Sequence, residues 1–155
     1  MKELNGEAAG EVAATPERCF ELLVDVAGYA LWYPDTVRRA EVVRRDEQGR
    51  PDRAAITLHV AYGPLVHDLD LLFDVRTEDP IRVELVLVRD SGDEERFEVL
   101  WQITPAVPLT RLHLIMHANL PVPRFIPVGG AFDGVAKGFL DAAVSALAPA
   151  PDQSA

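Results

Sequence analysis

The sequence predicts an α+β fold in which a curved antiparallel sheet of about seven strands wraps on a long C-terminal helix. Two short helices are expected between the first and second strands. Three observations carry this. From Val37 to about residue 120, apolar residues recur at every second position, as in an antiparallel sheet with one wet face. From 130 to 147 the period changes, and Phe132, Val135, Ala136, Phe139, Leu140, Ala143, Val144 and Leu147 fall on one side of a helix. No crossover helices separate the strands, which rules against a doubly wound α/β arrangement.

The segment from Glu3 to Ala14 is rich in alanine and glycine and alternates weakly, as a first, edge-like strand would. Thr15-Pro16-Glu17 then supplies a cap hydroxyl, a proline at the first helical position and an acid in the first turn. The helix that follows, to Val26, carries Cys19, Phe20, Leu22, Leu23 and Val26 on a broad apolar side. Gly28 breaks it, and Tyr29 to Tyr33 form one further turn before Pro34 ends it. A strand from Val37 to Arg45 leads into Asp46-Glu47-Gln48-Gly49, a hairpin turn signal. Next, Ala54, Ile56, Leu58, Val60 and Tyr62 share a face opposed by Arg53, Thr57 and His59. After Gly63-Pro64, Leu69, Leu71, Phe73 and Val75 alternate with Asp68, Asp70, Leu72 and Asp74. Glu78-Asp79-Pro80 precedes Val83, Leu85 and Leu87, and Asp90-Ser91-Gly92-Asp93 precedes Phe97, Val99, Trp101 and Ile103. The last strand sets Leu112, Leu114, Met116 and Ala118 against Arg111, His113, Ile115 and His117. Leu120 to Gly130, with its prolines and glycines, reads as a stiff connector into the final helix. Residues 149–155 read as a disordered tail, so one domain is expected over 1–148.

Composition narrows the function classes. A chain of 155 residues, 48% hydrophobic, fits one domain that buries about two thirds of its unfolded surface. Its apolar runs are broken by charge or proline well short of the roughly 20 residues of a membrane span. The opening MKELNGEAAGE is too acidic and polar for a secretory leader. A lone cysteine, Cys19, permits no internal disulfide and agrees with a reducing, cytoplasmic setting. Inside an apolar helix it reads as a buried structural thiol. The net charge of −10 argues against nucleic acid and against anionic membrane surfaces. Arg38, Arg39, Arg44, Arg45, Arg50 and Arg53 form a basic cluster, but Glu41, Asp46, Glu47 and Asp52 interleave with it. Its net field is small, as for a solvated sheet face and hairpin.

An oily helix laid over a twisted, concave sheet can leave an enclosed apolar space. The predicted helix is roughly 27 Å long at 1.5 Å per residue, enough to cross the concavity. Trp32, Tyr33, Tyr62, Phe73, Phe97, Trp101, Met116, Phe132 and Phe139 are large enough to fill it. Ala131, Gly134, Gly138 and Ala142 on the helix either permit close helix–sheet contact or leave room for a ligand. Both readings stand at this level.

The stretch ATPERCFELLVDVAGYALWYPDTVRRAEVVRRDEQGRPDRA resembles the opening of the polyketide cyclase/dehydrase and lipid-transport group. That group belongs to the START-like, Bet v 1-like (SRPBCC) superfamily with its helix-grip fold. Pro16, Asp25, Tyr29, Trp32-Tyr33-Pro34, Val37 to Val43, and Asp46 to Gly49 carry the likeness. VHDLDLLFDV, from Val66 to Val75, and the proline-rich link before a long helix extend it over nearly the whole chain. The resemblance implies the helix-grip fold and a cavity lined by the inner strand faces and the inner face of the last helix. Trp32, Tyr33 and Pro34 would then lie near its mouth. The ligand-binding candidates are Trp32, Tyr33, Leu58, Tyr62, Leu71, Phe73, Leu85, Val99, Trp101, Leu114, Met116, Phe132, Val135 and Phe139. Members of the group span aromatase/cyclases, lipid or quinone binders and small-molecule receptors, and no universal catalytic residue maps onto this chain.

Each candidate has a plainer account. Trp32 and Tyr33 stack on a ligand or anchor a short helix, and the two roles are compatible. Trp101 and Met116 line a pocket or form ordinary core. Tyr62, a phenol on an inward face, donates to a ligand carbonyl or to a backbone group before Gly63-Pro64. His113 and His117 share a strand face but sit about 13 Å apart, too far to chelate one ion directly. With His59 and His67 on neighbouring strands, no spacing gives converging zinc ligands. Asp68, Asp70 and Asp74 fan along one face, as a solvated surface or as partners for the Arg38/Arg39 strand. Gly129-Gly130 is a weak anion signal, and Ser91, Ser145 and Ser154 lack a nucleophile-elbow context.

The expected function is binding or transport of a hydrophobic or aromatic small molecule, or a lipid, in an internal cavity. The rival is an aromatase/cyclase acting on a polyketide-like chain, and a third class is an interaction module with a filled interior. The first expectation carries no cofactor and no metal, no nucleic acid and no stable membrane insertion, on a monomer or homodimer.

Overall fold

The computed structural model describes residues 2–62, 65–89, 94–120 and 131–148, apart from the side chains of residues 2, 60–62, 65, 67, 120, 131 and 132. Residues 121–130 of the expected connector and the tail at 149–155 lie outside the described residues, as do the side chains of Tyr62, His67 and Phe132, while Leu120 ends the last strand.

Seven strands form one antiparallel sheet: β1 (Lys2–Val12), β2 (Val37–Arg45), β3 (Pro51–Tyr62), β4 (Leu65–Glu78), β5 (Arg82–Leu87), β6 (Arg96–Ala106) and β7 (Leu109–Leu120). Their order is β1-β7-β6-β5-β4-β3-β2, so β1 and β2 are the edges. Between them lie α1 (Pro16–Val24), a 3-10 turn (Val26–Gly28) and the single-turn α2 (Tyr29–Trp32). The long helix α3 (Ala131–Leu147) closes the chain. The α+β reading and its element order therefore hold. The first helix stops two residues early, at Val24, because Asp25 leaves helical geometry (φ −77°, ψ 75°) and Val26–Gly28 tighten into the 3-10 turn.

Local chemistry explains the boundaries. The Thr15 hydroxyl accepts from the Arg18 N–H at 3.1 Å, and Pro16 occupies the first helical position, where no N–H is needed. Thr15→Ala is expected to lose about 1 kcal/mol of stability, seen as a lower urea midpoint. At the β2–β3 hairpin, Gly49 adopts φ +81°, and the Asp46 carboxylate accepts from the N–H groups of Gln48 and Arg50. Arg50 reaches from this turn to Asp79 in the β4–β5 turn and lies over the Phe20 ring of α1.

The core lies between the inner sheet face and the helices. α3 buries Ala136, Phe139, Leu140, Ala143 and Leu147, the i, i+3, i+4, i+7 stripe of an amphipathic helix. It packs chiefly over β1, where Gly10 lets the Leu140 side chain approach the backbone. Asp133, in its first turn, accepts from the Glu7 N–H at 3.3 Å and so occupies one donor of an edge strand. On the inner face, Val83, Trp101 and Leu114 line up across β5, β6 and β7, and Leu85, Val99 and Met116 form the adjoining row. All six are buried.

Candidate functional site

Alternation along each strand sends one set of side chains inward, and the register decides which of them meet. Across β3 and β4 the inward pairs are Ala54 with Phe73, Ile56 with Leu71, and Leu58 with Leu69. Burial falls along this ladder. Ala54 and Phe73 are sealed at 0% and 2% exposure, whereas Leu58, Leu69 and Leu71 are only half-buried although they point to the same side. Val37 at the start of β2 pairs with Leu58, and the His59 N–H donates to the Thr36 carbonyl at 2.7 Å. Those two links bring the α2 segment alongside the half-buried stretch.

Over the neighbouring part of the interior sits an aromatic cluster centred on Phe139 of α3. Tyr33 stacks on it at 4.9 Å and 16°, Trp101 meets it edge-on at 5.0 Å, and Tyr29 and Trp32 flank it at 5.4 Å. Tyr29 and Trp32 also contact each other edge to face. The Tyr33 hydroxyl donates to the Val135 carbonyl at 3.1 Å, and the Tyr29 hydroxyl donates to the Leu23 carbonyl. Burial raises both phenol pKa values, so both groups stay neutral donors across the physiological range. The Trp32 and Trp101 indole N–H groups are buried without a hydrogen-bond partner.

The candidates whose side chains are described gather in this one core. Phe73, Leu85, Val99, Trp101, Leu114, Met116, Tyr33 and Phe139 are buried in it, and Trp32, Leu58, Leu71 and Val135 pack against it half-exposed. Trp101 and Leu114, at 0% exposure, face no space a water molecule would enter. Of the two roles open to Tyr33, the structure displays the anchoring one. Gly138 resolves the same way: its backbone lies so close to Tyr33 that a β-carbon there would stand 2.9 Å from the phenol oxygen. Gly134 instead has no described residue within 4 Å of the place a β-carbon would take. Leu69 was absent from the candidate set. Its alternation with Asp68 and Asp70 was visible, but its pairing with Leu58 is a matter of register, which alternation does not specify.

The wet face holds the charged groups in cross-strand pairs. Asp74 bridges Arg53 at 3.0 Å and Arg44 at 3.9 Å, Asp70 accepts from Thr57 at 2.7 Å, and Asp68 pairs with His59 at 2.7 Å. Asp74 thus reaches β2, the strand that carries Arg38 and Arg39, at its far end, Arg44. His113 pairs with Glu7 and His117 with Asn5. Among the described residues, no group of three or more potential metal ligands converges. Thr110 is the buried polar side chain among them, and its hydroxyl donates to the Ala14 carbonyl. Burial pushes the Cys19 thiol up to about 11, so little thiolate exists at neutral pH. A recess of about 110 Å³ beside Leu87 and Phe97 is open, rimmed by Arg89, Arg96 and Glu98, and smaller than the roughly 300 Å³ of the smallest usual ligand pockets.

A seven-stranded sheet curved about a C-terminal helix, with short helices between its first two strands, defines the START-like, Bet v 1-like helix-grip class. Residues 12–147 match the family described as polyketide cyclase / dehydrase and lipid transport, and the chain belongs to that family. No curated protein matches it. Among solved structures, a START superfamily protein from Mycobacterium smegmatis is similar at 20% identity and TM-score 0.70, covering 92% of this chain and 96% of that one. A STAR-related lipid transfer protein from Xanthomonas axonopodis is similar at 17% identity and TM-score 0.65, covering 91% and 84%. The ZhuI aromatase/cyclase from Streptomyces sp. R1128 is similar at 19% identity and TM-score 0.55, covering 94% and 86%. At these identities the likeness is one of fold. Among the described residues, no helix is long and apolar enough to cross a membrane.

Proposed function

We propose that the protein binds and carries a hydrophobic or aromatic small molecule, or a lipid, against the inner face of the sheet beneath α3. The observation that carries this is the half-buried apolar stretch of Leu58, Leu69 and Leu71 on the inner face of β3 and β4, with Trp32 and Val135 also half-buried against the same core. These side chains point inward yet retain surface to give to a ligand, and each 100 Å² removed from water contributes about 2.5 kcal/mol. Tyr62 and Phe132 are the further lining candidates. Family membership and the lipid-transfer protein among the structural neighbours support the same reading.

The aromatase/cyclase alternative is supported by one similar structure and by the family description. Against it, the inner face among the described residues presents no carboxylate, histidine or amine, and both phenols there are engaged by backbone carbonyls. Proton movement needs a titratable group within reach of the reacting atoms, so carriage is the better supported of the two. A cytoplasmic monomer or homodimer goes with this proposal.

Native mass spectrometry of freshly purified protein, with titration by the neutral dye Nile red, tests it. A retained apolar molecule or saturable, stoichiometric dye uptake is the expected result. Leu58→Gln should weaken that uptake severalfold, by placing an amide on the apolar wall. No retained molecule together with no saturable uptake would overturn the proposal.

A further inference from the structure

We infer that the Arg38 guanidinium anchors the ligand at the rim of the binding site, so that the preferred ligand is an amphipathic monoanion, a carboxylate carried on an apolar chain. This rests on the carriage reading above and names the ligand chemistry for the same site.

The strand register puts Arg38 beside the apolar stretch. Val37 pairs with Leu58 and Arg39 with Thr57, so β2 carries one residue more than β3 at this point, and Arg38 is the extra one. A bulge of this kind sets two residues against one and releases the added side chain from strict alternation. Arg39 shares the wet face with its partner Thr57, whereas Arg38 stands next to Val37 against Leu58. Paired strand positions lie about 5 Å apart, well within the reach of an arginine side chain. The backbone is fixed on both sides of the bulge. The Val37 N–H donates to the Tyr33 carbonyl at 3.0 Å, and the Thr36 carbonyl accepts from the His59 N–H at 2.7 Å. Arg38 is therefore held, exposed, where the end of α2 meets the half-buried part of β3.

The use of charge along the hairpin singles out the same residue. Arg44 is engaged by Asp52 and Asp74, Arg45 by the Gly49 carbonyl, Arg50 by Asp79 and Arg53 by Asp74. The Arg38 and Arg39 guanidinium groups meet no partner among the described residues. Other polar groups next to the stretch are occupied, His59 by Asp68 and Thr57 by Asp70, both on the wet face. The Tyr29 and Tyr33 hydroxyls are bonded to backbone carbonyls. Arg38 is thus the group that borders Leu58 with its charge and donors unused. A guanidinium presents paired donors in a fixed fork that matches a carboxylate. The chain's net charge of −10 works against any anion, but charges beyond about 8 Å are largely screened at physiological salt. One guanidinium beside an apolar wall then suits one negative charge on an apolar chain, and not two.

cis-Parinaric acid and its methyl ester share one fluorescent chain and differ in a negative charge, so titrating both into wild type and Arg38→Gln isolates this contact. The ratio of acid to ester affinity is expected to fall about three- to tenfold in the variant, with ester binding nearly unchanged. Arg45→Gln removes the same charge at the far end of β2 and should leave the ratio as in wild type. Arg38→Lys should retain part of the preference, because the charge remains while the fork of donors is lost. If both probes bind but the ratio is unaltered in Arg38→Gln, or falls equally in Arg45→Gln, the anchor assignment fails while carriage stands. If neither probe binds, the carriage reading falls and the anchor with it.

Discussion

Trp101→Ala is expected to lower stability by about 3–5 kcal/mol, measured as a shift of the urea midpoint followed by far-ultraviolet circular dichroism. Trp101 is the largest fully buried side chain, flanked by Val83 and Leu114 on the adjacent strands and capped edge-on by Phe139. Its removal empties the place where the sheet meets α3. The neighbours cannot easily close that space, because Tyr29 and Tyr33 are each tethered by a hydroxyl to a backbone carbonyl and Phe139 is held between them. Poor collapse puts the loss toward the top of the range. Trp101→Phe retains the edge contact and removes an indole N–H that has no partner, so its loss should be well under half as large. An alanine variant within about 1 kcal/mol of wild type would mean that the cluster is not packed as described.

That cluster marks how far the sequence could be read. The strands were legible because period-two alternation is local, and Gly49 and Thr15 announced a turn and a cap by chemistry confined to a few residues. Tyr33 was legible only as one of two roles, since the choice depends on what faces it from α3, more than a hundred residues away. Gly138 carried the same ambiguity, because a small residue permits contact and vacancy alike until its neighbour is known. Asp74 was legible as a solvated surface group or as a partner of the strand that carries Arg38 and Arg39, and the antiparallel register adds which residues it meets, Arg44 of that strand and Arg53. The half-buried wall was invisible for a related reason. Leu58, Leu69 and Leu71 have the same hydropathy as the sealed Leu85 and Leu114, and only the placement of α2 and α3 separates them.

Gly138 and Gly134 provide the second test, with opposite signs expected for one substitution. Both lie inside α3, where Gly→Ala by itself favours the helix by about 1 kcal/mol. At Gly134 nothing among the described residues lies within 4 Å of the added carbon, so Gly134→Ala should stabilise by roughly that amount. At Gly138 the added carbon would stand 2.9 Å from the Tyr33 oxygen, and the ring behind it is stacked on Phe139 and bonded to Val135. Overpacking of about 1–3 kcal/mol then offsets the helix gain, leaving Gly138→Ala neutral to about 2 kcal/mol less stable. The pair of glycines differs in what it faces, not in helix position. Tyr33→Phe removes the offending oxygen and leaves ring carbons at 3.6 Å, an ordinary contact. In that background Gly138→Ala should become stabilising, giving a coupling of about 1–3 kcal/mol in the double-mutant cycle. Additivity within about 0.5 kcal/mol would show that α2 and α3 do not meet through this contact, and would detach Tyr33 from the helix that the proposed site relies on.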